Sequence, residues 1–340
     1  MIISFTRQLY ILIKAGIPLL KALQIICVQL PAGKFKQNLE GVVQDIQEGK
    51  SFSESLTNYP KYFSLFYVNM IKAAEVSGNL MDILKDLSQH LIQQRRITRQ
   101  VQSAVMYPAL VLIIAVVILI VLLMYVVPVF VKIFEGLGGS LPPTTLFLIT
   151  LSRFLASWGW IFLITIVSIY GSISFAYHRI RYVRRIMNII VWGLPLFGKL
   201  IRLMEIGSFC RTLGKLLSSG ITLVKALDVL IETTQGVLLC EAMEDIKVNV
   251  EQGQTLSGAM EEAKVFPLTL VKMIQVGEES GKIADLFLDA AEDYEDEISF
   301  AVTGMLSLLE PVLIVIMGGI VGFIVVALFF PIFTISELVK

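Results

Sequence analysis

Histidine and cysteine are almost missing from this chain, which has two of the first (His90, His178) and three of the second (Cys27, Cys210, Cys240) in 340 residues. The cysteines are odd in number, widely spaced and form no CxxC, which excludes a Cys/His zinc site. Reduced, buried thiols in helices are the expectation. Charge is scarce as well: Asp, Glu, Lys and Arg make up 16% of the residues, against roughly 25% in a soluble domain. The shortfall sits in three uncharged stretches, while 56% of the chain is hydrophobic. Soluble modules joined by membrane segments fit this better than one large core. A dense basic patch interleaved with aromatics is also lacking, so nucleic acid is not a direct partner.

The first uncharged stretch lies between Arg99 and Lys132, the second between Arg153 and Arg179, and the third between Glu310 and Glu337. Each is long enough to cross a hydrocarbon layer of about 30 Å as a helix, and Trp158, Trp160, Tyr170 and Tyr177 lie towards the ends of the second. Arg95, Arg96 and Arg99 precede the first span, and Arg179, Arg181, Arg184 and Arg185 follow the second. The positive-inside rule therefore puts both flanking regions in the cytoplasm, despite the acidic cluster Glu292–Glu297. The N-terminus is not a signal peptide, because Arg7 and Lys14 break its apolar run. Phe5, Leu9, Leu12, Leu20 and Leu23 recur at helical spacing instead.

The chain repeats itself. Phe5–Ile26 and Phe209–Leu230 share ten of 22 positions at an offset of 204, including Arg7/Arg211, Gly16/Gly220 and Lys21/Lys225. An offset of 203 then pairs Glu75/Glu278, Gly78/Gly281, Asp82/Asp285, Pro108/Pro311 and Pro128/Pro331. The unit is a helical domain followed by one span, present twice. The expected architecture is all-α and polytopic, with three transmembrane helices and two homologous cytoplasmic helical bundles. Its boundaries are a first domain at 1–104, spans at 105–131, 154–178 and 308–335, a connection at 132–153, a second domain at 179–307 and a tail at 336–340. The two domains differ in charge: residues 1–104 carry 12 basic and 7 acidic side chains, and residues 179–309 carry 13 and 18.

Signals for chemistry fall away when their context is tested. Gly193–Lys199 satisfies GxxxxGK, yet Leu200 stands where a phosphate loop needs Ser or Thr, and no strand precedes it. Hydrolytic triads and HExxH are absent, so no catalytic or cofactor-binding residue is assigned and no cofactor is expected. Glu75 and Glu278, in paired Glu-x-Ser-Gly corners, are the only metal candidates. Calcium wants six to eight oxygens, which one loop here does not assemble; turn capping is the stronger reading. Glu310 beside Pro311 lies at an interfacial depth and suits anchoring or subunit contact better than proton transfer. Gly318 and Gly322 form a GxxxG pattern suited to close helix packing.

Taken together, FTRQLYILIKAGIPL, the Glu-x-Ser-Gly corners, LPLFGKL and LEPVLIVIMGGIVGFIVVALFFPIF resemble the type II secretion protein F family, which includes the platform proteins of type IV pili and competence pseudopili. The resemblance spans nearly the whole chain. It implies a non-enzymatic inner-membrane platform that couples a cytoplasmic hexameric assembly ATPase to pilin or pseudopilin assembly. Other inner-membrane assembly subunits, membrane lipid and further copies of the chain would be its partners. Many relatives have a further segment before the FTRQL motif, which begins here at Phe5; this favours a shorter, competence-like variant. Interaction roles would fall on Arg7, Gly16, Lys21, Glu75, Gly78 and Pro108, on their repeat mates Arg211, Gly220, Lys225, Glu278, Gly281 and Pro311, and on Glu310, Gly318, Gly322 and Pro331. A small transporter or channel is the alternative, disfavoured because the spans hold no interior charge or broken half-helix.

Overall fold

The computed structural model of the chain describes residues 1–129, 181–194, 197–234 and 236–338, with scattered positions between 146 and 176. Side chains are described as far as Ala327, those of residues 181 and 182 excepted. Among the described residues every regular element is helical. Six helices come first: α1 (Ile2–Lys14), α2 (Leu19–Gln29), α3 (Lys34–Gln47), α4 (Phe52–Thr57), α5 (Leu65–Ser77) and α6 (Leu80–Val121). A π-helical turn, Leu122–Val126, continues α6. After it come α7 (Arg181–Gly193), α8 (Phe197–Ser218), α9 (Leu223–Thr233), α10 (Val237–Glu251), α11 (Leu256–Ala263), α12 (Leu268–Ser280) and α13 (Ile283–Leu338). The expected connection and second span, 132–178, fall largely outside the described residues, as do the last two residues of the tail; the described positions of that span are helical.

The repeat is visible in how the helices stop. Positive φ occurs at Gly16/Gly220, Gly49/Gly253 and Gly78/Gly281, three repeat pairs. After α1 the amide of Ile17 reaches back to the carbonyl of Leu12, and after α8 that of Ile221 reaches Leu216, each at 3.1 Å. This is the Schellman closure, which needs a left-handed residue that glycine supplies without strain. Starts are capped too. Ser51 accepts from the Glu54 amide at 3.1 Å and Thr255 from that of Gly258 at 3.2 Å, each filling one of the orphan donors of a first turn.

Residues Met1–Arg99 and Arg185–Ala301 make one compact unit. Its core holds two aromatic clusters. Phe5, Phe35, Phe63 and Tyr67 interlock in the first repeat, with Phe5 5.8 Å from both Phe35 and Phe63. Phe209 lies 4.9 Å from Phe266 and 5.8 Å from Phe287 in the second. Phe5/Phe209 and Phe63/Phe266 are repeat mates. The two repeats pack on each other through α5 and α9. Burial pushes the Cys210 thiol up, and with Cys27 also buried, two of the three sulfurs serve as small apolar core groups.

The other unit comprises Gln100–Arg184 and Val302–Lys340. Within it Leu123, Val127, Ile324 and Ala327 form a small apolar cluster joining α6 to α13. Leu110, Ile113, Ile314 and Val315 are among many large apolar side chains left exposed on these helices. Two helical stretches, Leu80–Val129 and Ile283–Ala327, are long and apolar enough to cross a membrane. Among the described residues a third span arises only if α7 and α8, bent by 114°, are taken as one broken crossing.

Candidate functional site

Glu75 and Glu278 end their own helices, α5 and α12, but serve another helix in each repeat. Glu75 accepts hydrogen bonds from the amides of Phe52 (2.6 Å) and Ser53 (3.3 Å) and from the Ser53 hydroxyl (2.5 Å). Glu278 accepts from the amides of Leu256 (2.5 Å) and Ser257 (2.9 Å) and from the Ser257 hydroxyl. Each carboxylate thus seats on the first turn of α4 or α11, where unpaired N–H groups and the helix dipole favour an anion. N–H and O–H donors converging on both oxygens make a setting hostile to a cation. Among the described residues no group of three or more His, Cys, Asp or Glu is placed to hold a metal ion. Gly78 and Gly281 cap α5 and α12 in the left-handed conformation, at φ 71° and 69°.

A second constellation joins the two repeats inside the first unit. Asp86 and His90 lie on α6, Arg211 and Lys215 on α8, and Glu295 on α13. Lys215 donates to Asp86 at 3.0 Å, Arg211 pairs with Glu295 at 2.5 Å, and Gln93 of α6 donates to the same carboxylate. The Arg211 and Glu295 side chains are 15% and 14% exposed, so this is a partly desolvated pair, stronger than a surface contact. His90 is buried, stacks at 4.5 Å on Phe66, and has no hydrogen-bond partner for Nδ1. Burial, followed by the charges of Arg211 and Lys215, pushes its pKa down to about 4. A neutral imidazole is therefore held among cations. Beside it a cavity of about 220 Å³ is lined by Gln94, Thr98, Gly207, Ser208 and Arg211.

A third constellation lies in the other unit, where α6 and α13 carry their prolines. Pro108 and Glu310 line one cavity of about 290 Å³, together with Ser103, Ala104, Tyr107, Leu306 and Ser307. Proline has no N–H, so Pro108 leaves the Ala104 carbonyl, and Pro311 the Ser307 carbonyl, without its usual helical donor. Both residues line the cavity.

The other expected site residues are scattered. Arg7 is exposed on α1, unlike its mate Arg211, and Lys21 and Lys225 are exposed on α2 and α9. Gly16 and Gly220 end α1 and α8. Gly318 and Gly322 are exposed, and no atom lies within 4 Å of a Cβ built at either. The packing read from that pattern is therefore not made by the chain's own described residues. Pro331 lies in α13 beyond the last described side chain. Sequence reasoning gave no site role to Asp86, His90, Lys215 or Glu295. It also missed Ser53 and Ser257, although their equivalence across the repeat, at the offset of 204 that precedes the one-residue gap before Glu75 and Glu278, was a usable signal.

Two stretches, 5–128 and 209–331, match the profile of the family described as type II secretion system (T2SS), protein F. Among curated relatives, the type IV pilus assembly protein PilC of Thermus thermophilus is 36% identical over 97% of this chain and 81% of its own length. PilC of Myxococcus xanthus is 32% identical over 100% and 81%, and the type II secretion system protein F of Vibrio cholerae 30% over 98% and 82%. Two profile matches, one on each half of the repeat, account for the paired helices, the paired glutamate caps and the two long apolar helices, and the chain belongs to the type II secretion system protein F family.

Proposed function

We propose that the chain is the non-enzymatic inner-membrane platform of a pilus or secretion machine, passing force from a cytoplasmic assembly ATPase to pilins. The observation that carries this is continuity. Each repeat runs without a break into the helix that reaches the membrane: α6 is 42 residues long and α13 is 56. The ion pairs Lys215–Asp86 and Arg211–Glu295 fasten the second repeat to both shafts. A push on either repeat would thus move both.

In this reading residues 1–104 and 179–307 face the cytoplasm, the N-terminus with them, and 154–178 is the return span. The basic first and acidic second domains offer the ATPase two distinct contact surfaces. The Gly318/Gly322 face would pack on a second copy. The test is co-purification: the platform should bring down an assembly ATPase and a prepilin, and charge reversals across its cytoplasmic faces should abolish filament assembly. Filaments that persist through those reversals would refute the coupling. Solute flux in proteoliposomes would support the transporter reading instead.

A further inference from the structure

Helix α7 is built the wrong way round for water. On a helix of 3.6 residues per turn, Val183, Ile186, Met187 and Ile190 fall on one side and Arg184, Arg185, Asn188 and Trp192 on the other, with Ile189 at the boundary beside Arg185. Arg184, Asn188 and Trp192 on the polar side are partly covered, and Arg202 stacks on Trp192 at 4.9 Å; Arg185, 54% exposed, sits at the edge and pairs with Glu241 at 3.4 Å. The apolar side looks outward, with Ile186, Ile189 and Ile190 exposed by 40, 53 and 55%. Leu194 and Phe197, 46 and 43% exposed, carry the strip across the corner into α8. That corner is tight, because a Cβ at Gly198 would meet the Trp192 carbonyl oxygen at 2.4 Å.

Charge completes the pattern. No acidic residue occurs between Glu135 and Glu205, whereas Arg179, Arg181, Arg184, Arg185, Lys199 and Arg202 fall within residues 179–204. Glu241 pairs with Arg185, and Glu297 lines a pocket with Leu194 and Lys199, but the apolar strip's own segment carries only cations. Lying directly after an expected span, it matches an anionic leaflet in chemistry and position. A soluble partner would have to supply the same pair of features.

We propose that α7 is a membrane-surface helix, with Ile186, Ile189 and Ile190 in the acyl boundary and the exposed Arg185, Lys199 and Arg202 on anionic phospholipid headgroups. This rests on the topology given under Proposed function, in which residues 179–307 lie on the cytoplasmic side. Lipid contact would fix the start of the second repeat at the level of the membrane, so that only the parts beyond the corner are left to be moved.

The test uses the full chain in nanodiscs of phosphatidylglycerol and phosphatidylcholine, with Cys27, Cys210 and Cys240 replaced by serine and a nitroxide label at Ile190→Cys or Asn188→Cys. The ratio of collisions with oxygen to those with a water-soluble nickel chelate should be at least about threefold higher at 190 than at 188. It should fall when the anionic lipid is left out. A label at 190 that favours the nickel chelate, or one closed to both reagents because protein covers it, overturns the proposal. Should the cysteine-free chain not fold, a photoreactive residue at 190 in the otherwise unaltered chain decides: lipid adducts support, protein adducts overturn. Depth at 190 is read without filaments, so failed ATPase capture with a lipid-buried 190 would refute the coupling and leave this inference standing.

Discussion

Two glutamates hold the first turns of helices that begin more than twenty residues before them in the chain. Replacing Glu75 or Glu278 with alanine strips three donors of an ionised acceptor and should cost about 2–3 kcal/mol each, measured as lowered thermal stability in detergent. Glutamine, which keeps two acceptor lone pairs but not the charge, should recover part of it. Only the serine hydroxyl of this contact could leave a mark in the sequence, because two of its three donors are backbone amides, which carry no residue signature. The glycine stops were legible because a left-handed cap leaves glycine behind. His90 gives a pH dependence. Its folded pKa of about 4 lies below the ordinary value of 6.5, so the unfolded chain takes up the proton first. Its contribution is whole above pH 6.5 and is lost as pH falls towards 4, about 3 kcal/mol in all. Denaturation midpoints of the wild type and His90→Gln across that window should converge towards acid and separate towards neutrality.

At the level of elements, periodicity and punctuation made most helices readable. The helices α2 (Leu19–Gln29) and α9 (Leu223–Thr233) stand at the same offset as their sequences, because the identical pairs Gly16-Ile17 and Gly220-Ile221 set the same starting point. The ion-pair junction was not readable. Lys215 and Asp86 are 129 residues apart, and in a chain of amphipathic helices many charged pairs are equally compatible with the pattern. The direction of α7 was hidden too, since periodicity gives a helix two faces without saying which one the protein covers. Gly198→Ala tests the corner it makes with α8. With the Trp192 carbonyl at 2.4 Å the backbone must shift, and a loss of about 1–3 kcal/mol is expected. Faster proteolysis near Leu194 would mark the opened corner.

For the molecule as a whole, the duplication is unequal. Arg7 is exposed while Arg211 is tied to Glu295, so the repeats share a plan but not a surface. Reversal of one junction charge, Asp86→Lys, should weaken the protein and stop filament assembly. Adding Lys215→Asp should restore both by about 1–2 kcal/mol of coupling; stability restored without assembly would make the junction purely structural. Its lesson for sequence reading is that a repeat predicts elements well and their division of labour poorly, because each copy faces different neighbours.

The prolines of α6 and α13 place a mechanical property at one spot. Bending stiffness in a helix comes from its ladder of hydrogen bonds, and each shaft has a missing rung at the same repeat position, opening on the same cavity. Two rods notched at matching points form a flexure: stiff along their length, compliant in bending, and returning elastically once the load is gone. Restoring both rungs with Pro108→Ala and Pro311→Ala should make the protein more stable and the platform less able to complete a cycle.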